Sequence, residues 1–273
     1  MLPVPRAPRF SFAFTGCAFR ARPQPLTLII IVMNQRILGC TSLKVSELCL
    51  GTMNFGWRTD ESTSRAILDA YHAGGGHFIQ AVGLAGAALS AQISPTYSET
   101  VVGSWWRSRD LLRTDLTLAT RVNLREGSEP DSVDLDETVR TTCKESLRRL
   151  RTDYLDVLVC EWSGAGHPPE ALRRGLDWLV REGLVRYVAF ANLSSWRVVA
   201  SIHEGVARNH SRIDALQGDY SLLARTSFEG DLAELCRERG LGFLARSPLA
   251  GGLLTRRSKG RGVLGGSRRA WLA

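Results

Sequence analysis

The stretch that most constrains the fold is T-D-Y-L-D-V-L-V-C-E-W, from Thr152 to Trp162. Its centre, Tyr154 to Cys160, is an almost continuous apolar run rich in branched residues, which is typical of a parallel strand buried on both faces. One helical pattern leads into this run, and another follows it from Pro168 to Val180. Helix, strand and helix in this order predict a βα unit, and polar residues where such a strand ends belong at the mouth of an active site. We therefore expect Glu161 and Trp162 to lie at that mouth.

The charge of the chain is concentrated at its two ends. At 273 residues, the length favours one domain of the barrel or doubly wound class. Residues 1–32 hold four arginines, and residues 256–273 hold five arginines and one lysine, all without an acid. The two ends together carry +10, and the formal net charge of the whole chain is +8, so residues 33–255 carry −2. A nucleic-acid binder carries its basic face on the folded body, so the charge predicts no nucleic-acid partner.

The six cysteines form no CxxC pair, and two of them fall inside apolar strand runs, so we expect reduced thiols in a cytoplasmic protein. The five histidines show no pair at i and i+4 with an acid between them, which predicts no metal site. Residues 1–32 end in L-T-L-I-I-I-V, which is too short to span a bilayer. Three interpretations of this segment stay open: a disordered upstream extension, an organelle transit peptide, or an extra strand at Leu26–Val32.

A series of short apolar runs separated by helical patterns follows from Met33 onward. A hairpin of Arg36–Leu38 and Leu43–Ser46 is predicted first. The predicted strands after it are Leu48–Met53, His77–Val82, Leu116–Arg121, Tyr154–Cys160, Val185–Ala191, Ile213–Leu216 and Gly242–Arg246. Beyond Thr255 neither a helical nor a strand period continues, which leaves residues 256–273 as a basic irregular tail. Seven βα units without an eighth strand would leave a barrel with two open edges.

The order of the motifs resembles the aldo-keto reductases. The signatures are L-G-T-M-N-F-G after the hairpin, S-E-T-V-V-G-S-W-W, R-L-R-T-D-Y-L-D-V-L, G-L-V-R-Y-V-A-F-A-N, Q-G-D-Y-S-L-L and S-P-L-A-G-G-L-L-T. The resemblance covers residues 33 to about 255 and implies an incomplete (β/α)8 TIM-type barrel over 33–255. It also implies an NADP(H)-dependent oxidoreductase, in which the cofactor gives hydride to a carbonyl group.

The same resemblance locates four catalytic positions, and this chain differs from the family pattern at every one. Gln80 stands where the family has an aspartate, Ala85 where it has the proton-donating tyrosine, Arg121 where it has a lysine and Glu161 where it has a histidine. The resemblance therefore implies a rebuilt catalytic site whose candidate members are Gln80, Arg121 and Glu161. Tyr97 is the nearest tyrosine to this region, and we expect it to lie at a helix entry or on the surface.

Each replacement has a chemical meaning. Ala85 has no acidic proton, and losing a general acid typically costs about 10² to 10⁴ in rate. Arg121 hardly releases a proton, but its charge can stabilise an oxyanion. Two interpretations of Glu161 stay open. It pairs with Arg121 in an inert cavity, or it lies in a dry mouth beside Trp162, where its pKa rises and it acts as an acid.

The motifs that follow the predicted strand Val185–Ala191 imply, through the family resemblance, a pocket for the nicotinamide. The resemblance assigns contacts with the cofactor to Asn192, Gln217, Tyr220, Ser247 and Leu249. Trp57 and Trp162 are the expected contacts with the substrate. Other roles are open for three of the cofactor residues: Asn192 as the cap of a helix beginning near Ser194, Gln217 as a strand-end hydrogen bond and Tyr220 as a core aromatic.

Three hypotheses about function remain at this point. The first is an NADP(H)-dependent oxidoreductase with a rebuilt site that acts on a small-molecule carbonyl or conjugated carbonyl substrate. The second is a non-catalytic relative that binds a ligand or partner, and the third is a truncated product without function. No membrane partner is expected. If the barrel has an open edge, an oligomer could cover the unpaired backbone groups there.

Overall fold

The computed structural model of the chain describes residues 33–56, 58–83, 97–124, 134–207 and 213–254. The predicted extension 1–32, the tail 256–273 and the positions Trp57 and Ala85 lie outside these ranges. Within them, the strands are β1 (Gln35–Ile37), β2 (Lys44–Ser46), β3 (Leu50–Gly51), β4 (Phe78–Val82), β5 (Thr117–Leu124), β6 (Leu155–Trp162), β7 (Val185–Ala191), β8 (Ala215–Asp219) and β9 (Gly242–Arg246). The helices are α1 (Glu61–Ala73), α2 (Tyr97–Ser108), α3 (Leu135–Leu150), α4 (Glu170–Arg181), α5 (Ser195–Ala207), α6 (Thr226–Glu229) and α7 (Asp231–Arg239).

Strands β3 to β9 form one parallel sheet in which sequence order is also spatial order. In the described ranges, no strand pairs with the outer edge of β3 or of β9. The predicted α/β architecture with seven recognisable βα units is confirmed within the described ranges. β3 is shorter than the predicted Leu48–Met53, and it pairs on one side only, with β4. β8 begins two residues later than predicted and runs on to Asp219, because its pairing with β9 continues to Arg246.

The two faces of the sheet carry different sets of apolar residues, because successive side chains of a strand point to opposite faces. The inner face is lined by Phe78, Ala119, Val157, Val159, Ala189 and Ala215. Leu38, Leu43 and Val45 of the hairpin join this inner cluster. The outer face packs on the helices through Ile79, Leu118, Leu158, Cys160, Phe190 and Leu216. Polar residues at the inner carboxyl ends of the strands are thereby left above an apolar floor.

The hairpin of β1 and β2 lies across the amino ends of the sheet strands. The Ser46 hydroxyl accepts hydrogen bonds from the backbone N–H groups of His77 at 3.3 Å and Phe78 at 3.0 Å, just where β4 begins. At its other end the backbone N–H of Cys40 donates to the carbonyl of Gly240 at 2.8 Å, next to the start of β9. Gly39 has a φ of +58°, and a Cβ there would lie 2.4 Å from the backbone nitrogen of Gly242, so this close approach requires glycine.

Asp156, which interrupts the apolar run of β6, joins three neighbouring strands at their amino ends. Its carboxylate is buried and accepts from the Arg113 guanidinium at 2.8 Å, the Arg186 guanidinium at 3.0 Å and the backbone N–H of Leu118 at 2.9 Å. Two cations and one backbone donor satisfy the buried charge, which is the condition under which a carboxylate is tolerated in a core. Asp156 is therefore part of the fold and lies at the end of the barrel away from the candidate site.

The described cysteines Cys40, Cys49, Cys143, Cys160 and Cys236 are free thiols. Burial raises the pKa of Cys143 to about 12 and raises the pKa of Cys160 as well. Both thiols are therefore protonated near neutral pH, and as thiols rather than thiolates they are poor nucleophiles. None of the helices described here is long and apolar enough to cross a membrane.

Candidate active site

The inner face of the sheet carries a polar layer at the carboxyl ends of its strands. Alternation along each strand brings Gln80 of β4, Arg121 of β5, Glu161 of β6, Gln217 of β8 and Arg246 of β9 to this layer. Each of these side chains shares its face with the apolar inner residues below it. This layer therefore corresponds to the polar residues that the sequence led us to expect where the strands end.

Arg121 and Glu161 form an ion pair between Nη2 and Oε2, and their side chains are 15% and 21% exposed. The other carboxylate oxygen, Oε1, accepts a hydrogen bond from the Asn192 side-chain amide at 2.5 Å. Both oxygens of Glu161 are thus engaged by neighbouring strand ends. The ion pair with Glu161 positions the Arg121 guanidinium, because a charge-assisted hydrogen bond is stronger than a neutral one.

A second guanidinium is held in the same network. Arg246 donates from Nε to Asp219 at 2.7 Å and from Nη2 to the other oxygen of Asp219 at 2.9 Å, and Nη2 also reaches the Asn192 carbonyl oxygen at 3.2 Å. The bidentate bond with Asp219 raises the pKa of Arg246. Asn192 therefore connects the two ion pairs: its amide nitrogen donates to Glu161, and its carbonyl oxygen accepts from Arg246.

The backbone of Asn192 has a φ of +62°, a left-handed conformation that asparagine tolerates better than most residues. Its N–H donates to the carbonyl of Gln217 at 2.9 Å, and α5 begins only at Ser195. The side chain thus points into the polar network. The alternative of a helix cap near Ser194 does not match this arrangement.

Gln80 and Gln217 face each other across the inner layer and exchange two hydrogen bonds. The Gln217 amide nitrogen lies 2.7 Å from the Gln80 carbonyl oxygen, and the reverse pair is 3.3 Å apart. Gln217 is buried and Gln80 is half-buried. Because a buried amide is costly without partners, the two glutamines satisfy each other. A predicted catalytic residue, Gln80, therefore binds a predicted cofactor residue, Gln217.

A cavity of about 450 Å³ opens over this layer. Gln80, Arg121, Gln217 and Arg246 line it from the strand ends, and Ser247, Leu249, Gly251 and Gly252 line it from the segment after β9. Arg58, from the segment between β3 and α1, adds a third guanidinium. No aspartate, glutamate, histidine, lysine, cysteine or tyrosine is among the described residues that line the cavity. Among the described lining residues, the ionisable side chains are therefore all arginines, which hardly release a proton near neutral pH.

The comparisons with known proteins agree with this architecture. The family model of the Aldo/keto reductase family matches residues 47–270. The chain belongs to the aldo/keto reductase family. It is 33% identical over 228 residues to an uncharacterised oxidoreductase, YrpG, of Bacillus subtilis (strain 168), covering 81% of this chain and 68% of that protein. The match extends past Thr255, where the motif pattern ends.

Two further relatives were found. The protein tas of Escherichia coli (strain K12) is 33% identical over 242 residues, covering 79% of this chain and 68% of that protein. Norsolorinic acid reductase B of Dothistroma septosporum is 30% identical over 237 residues, covering 81% of this chain and 57% of that protein. The family resemblance drawn from the motifs is confirmed.

Two residues expected at the site of this aldo/keto reductase lie elsewhere. Trp162 is 4% exposed and belongs to the outer, helix-facing cluster, so it does not line the cavity. The expectation failed because Glu161 and Trp162 are consecutive in a strand, and only one of them can face inward. Tyr220 is not a lining residue either: its hydroxyl donates to Glu229 at 2.7 Å, which raises the pKa of Tyr220, and its ring meets Phe228 edge-on.

The remaining expectations divide as follows. Gln217, Ser247 and Leu249 line the cavity, whereas Asn192 lies beside it in the ion-pair network. Tyr97 is the first residue of α2, and its hydroxyl donates to Glu61 at 2.9 Å, so it lies at a helix entry as expected. The chemical roles of Gln80, Arg121 and Glu161 stay predictions, and Trp57 lies outside the described residues.

Sequence reasoning missed Arg246, Asp219 and Arg58. Arg246 ends the predicted strand Gly242–Arg246, two residues after the inner Leu244, so the strand-end rule applied to Glu161 would also have selected it. Asp219 lay beyond the predicted end of its strand. Arg58 is in a connecting segment, and no periodic pattern marks such a position.

Proposed function

We propose that this aldo/keto reductase is an NADP(H)-dependent oxidoreductase that reduces conjugated carbonyl compounds. Its relatives include proteins named as an oxidoreductase and as a norsolorinic acid reductase, which supports redox chemistry. One observation carries the finer proposal. Arg121 presents a fixed positive charge to the cavity, and no described lining residue supplies a proton near neutral pH.

The described residues fit the nicotinamide end of a dinucleotide. Gln217 offers an amide at the inner layer, and Ser247 and Leu249 line the same cavity from the segment after β9. A Cβ at Gly252, also in that segment, would meet nothing within 4 Å, so there is space beside this residue. When bound, the reduced nicotinamide supplies a hydride. Gln217 would then exchange its bond with Gln80 for one with the ligand.

The proton supply distinguishes two kinds of carbonyl reduction. Hydride addition to a simple carbonyl carbon leaves an alkoxide, which needs a nearby acid, and Arg121 can hardly act as one. Hydride addition at the carbon β to a carbonyl breaks the carbon–carbon π bond and moves the electron pair onto the carbonyl oxygen. The enolate that results takes its proton at the α carbon from water. The saturated ketone and the oxidised cofactor are the products.

Arg121 then has a single task in the proposed reaction. Its guanidinium stabilises the enolate oxygen through a preorganised positive charge. Glu161 and Asn192 act through Arg121, because their bonds hold that guanidinium in position. Glu161 is therefore a positioning residue in this proposal, and the alternative in which it acts as an acid is tested below.

The first experiment is a titration of the full chain with NADPH, followed by tryptophan fluorescence. We expect saturable binding in the micromolar range. Cyclohex-2-enone should then oxidise NADPH at least about 100-fold faster than cyclohexanone, since only the second reaction needs an acid in the transition state. Deuterium should appear at the β carbon from labelled NADPH and at the α carbon from D2O. Equal rates with both substrates would contradict the proposal.

The variant Glu161→Gln separates the two roles of Glu161. If Glu161 positions Arg121, the variant lowers turnover but leaves the shape of the pH–rate profile unchanged. If Glu161 donates the proton, the variant has no acid at this position, and the fall in rate at high pH that comes from deprotonation of Glu161 disappears from the profile. Arg121→Gln should lower turnover further than Glu161→Gln, because it removes the charge itself.

A non-catalytic ligand-binding barrel is the second candidate. It is favoured by the internal satisfaction of the amides of Asn192 and Gln217, which leaves a ligand to compete with Glu161, Arg246 and Gln80. NADPH binding without turnover of any enone would support this candidate. A folded protein that binds no NADPH would contradict the oxidoreductase proposal.

A further inference from the structure

A second cavity, of about 440 Å³, lies nearer the amino ends of the strands, and we call it the lower cavity. Three inner residues of β4 show how the two cavities are arranged. Phe78 lines only the lower cavity, Val82 lines only the cavity above it, and Gln80 between them lines both. Gln217, the partner of Gln80, also lines both cavities. The pair of glutamines is therefore part of a wall that the two cavities share.

The lining of the lower cavity is mostly apolar and comes from separate parts of the chain. The hairpin contributes Leu38 and Val45, the segment before β3 contributes Leu48, and β9 contributes Phe243 and Leu244. Leu38 and Val45 are buried in the inner cluster, whereas Leu48 is exposed. An apolar lining with a few converging polar groups is the usual composition of a small-molecule site.

The charged residues that line the lower cavity all have partners. Arg36 and Glu47, which both line it, form an ion pair at 2.6 Å. Arg246 binds both carboxylate oxygens of Asp219. Because each of these charges is already paired, an ionic ligand would have to displace a partner, so the described lining suits a neutral ligand better than an ion.

The glutamine pair offers a hydrogen-bond donor to such a ligand. The Gln217 nitrogen donates to Gln80 at 2.7 Å, but the Gln80 nitrogen lies 3.3 Å from the Gln217 oxygen, so the bond donated by Gln80 is the weaker one. An amide nitrogen also carries two hydrogens, and the reciprocal pair uses one on each side chain. Gln80 is only half-buried, so its amide can donate to an oxygen in the cavity.

We propose that the lower cavity is a binding site for a neutral, mostly apolar small molecule with one carbonyl group, and that the Gln80 amide donates a hydrogen bond to this carbonyl. The apolar body of the ligand packs against Leu38, Val45 and Leu244. The site needs neither a cofactor nor hydride transfer, so it is separate from the proposed reaction in the cavity above.

Benzophenone and diphenylmethane are matched probes, because they differ only at the bridging carbon, which is a carbonyl in one and a methylene in the other. Calorimetric titrations of the full chain are made without cofactor, so neither probe is reduced. We expect benzophenone to bind about fivefold more tightly, as one net hydrogen bond predicts. Gln80→Met keeps an unbranched side chain but removes the donor, so it should bring the two affinities together.

Photocrosslinking locates the bound benzophenone, because the excited ketone inserts into neighbouring C–H bonds. We expect mass spectrometry to find the adduct on Leu48 or Leu244, which line the lower cavity and not the one above. An adduct on Met53 or Leu249, which line only the cavity above, would overturn the inference. Adducts scattered over the surface would overturn it as well.

Two exposed positions give a matched pair of variants that leave both glutamines in place. Cys49→Phe adds a ring to the lining of the lower cavity and should weaken benzophenone binding by about tenfold. Leu249→Phe adds a ring to the cavity above and should leave this affinity unchanged. Equal effects of the two variants, equal affinities of the unmodified chain for the two probes, or a ketone preference that persists in Gln80→Met would each contradict the site. The NADPH titration reports the proposed function separately.

Discussion

At the scale of single residues, one step along a strand decides whether a side chain takes part in the site. Glu161 faces the inner layer and binds Arg121 and Asn192, whereas Trp162 packs against the helices on the other face. The three described residues that the resemblance assigned to catalytic positions, Gln80, Arg121 and Glu161, all have partners in the polar layer. Gln80 binds Gln217, and Glu161 binds Arg121, so the replacements satisfy one another and the residues beside them.

The ion pair of Arg121 and Glu161 should contribute to stability. Glu161→Gln leaves a partly buried guanidinium without its carboxylate, so we expect the free energy of unfolding to fall by about 2 kcal/mol. Urea denaturation at pH 7 measures this change. The matched control is Glu47→Gln, which removes the exposed pair of Glu47 with Arg36 and should leave the free energy of unfolding nearly unchanged.

The double variant Arg121→Gln with Glu161→Gln completes the comparison. Because it removes both charges, it should lose less stability than the sum of the two single variants. Strict additivity would mean that the two side chains do not interact in solution.

At the scale of elements, buried charge and helix capping hold the strands and helices in register. Asp156 ties β6 to β7 and to the segment that leads into β5, and it does so through bonds that an apolar residue cannot make. Asp60 begins α1 by accepting a hydrogen bond from the backbone N–H of Thr63 at 2.9 Å. Substituting either aspartate should therefore lower the stability of the fold.

Asp156→Asn should be strongly destabilising. The amide cannot balance the charges of Arg113 and Arg186 and cannot accept all of their hydrogen bonds, so we expect a loss of about 3 kcal/mol or more. The urea midpoint measures it. Asp153→Asn, three residues earlier and exposed, is the control and should have little effect. Similar midpoints for the two variants would show that the Asp156 network contributes nothing.

The cap of α1 should make stability depend on pH. Hydrogen bonds from the backbone of Thr63 and from two side chains lower the pKa of Asp60 to about 2. A carboxyl whose folded pKa is depressed stabilises the fold above its unfolded pKa, and that contribution is lost as pH falls through the folded pKa. The stability gap between the chain and Asp60→Ala should therefore be full at pH 7 and narrow as pH falls from about pH 4 to pH 2.

The control for this experiment is Asp60→Asn. Asparagine caps a helix about as well as aspartate but does not titrate, so this variant should stay more stable than Asp60→Ala at every pH. Urea midpoints at several pH values test both variants. A gap between the chain and Asp60→Ala that is independent of pH would contradict the assignment of the low pKa to the cap.

At the scale of the whole molecule, the edges of the sheet govern association. In the part of the chain that the structure describes, β3 and β9 each have one edge without a strand partner, and Ala245 on β9 is exposed. Free backbone groups on a strand edge are a template for pairing with another chain. We propose that copies of this chain associate through these edges, as we expected from a sequence in which seven βα units are recognisable.

Light scattering after size-exclusion chromatography tests this proposal. Ala245→Lys places a charge on the edge strand and should shift the protein towards monomers. Val206→Lys is the matched control, because Val206 is 79% exposed on α5, away from both edges, and should leave the distribution unchanged. A monomeric chain, or an equal response to both substitutions, would contradict association through β9.

The sequence by itself determined the family, the order of the strands and the full bounds of two of them. Val185–Ala191 and Gly242–Arg246 were predicted to the residue, because buried apolar runs between helices are local patterns that need no knowledge of distant partners. The resemblance also implies four catalytic positions at which this chain differs from the family pattern, and that assignment stays a prediction.

Only the tertiary structure decided which groups satisfy one another. The pairing of Gln80 with Gln217, the bidentate bond of Arg246 with Asp219 and the arrival of Arg58 at the cavity join residues that are far apart in sequence. Such contacts depend on the curvature of the sheet and on connecting segments, and no periodic pattern records either one. The same holds for the net charge of the cavity, because composition counts charges and only the fold determines which of them face each other.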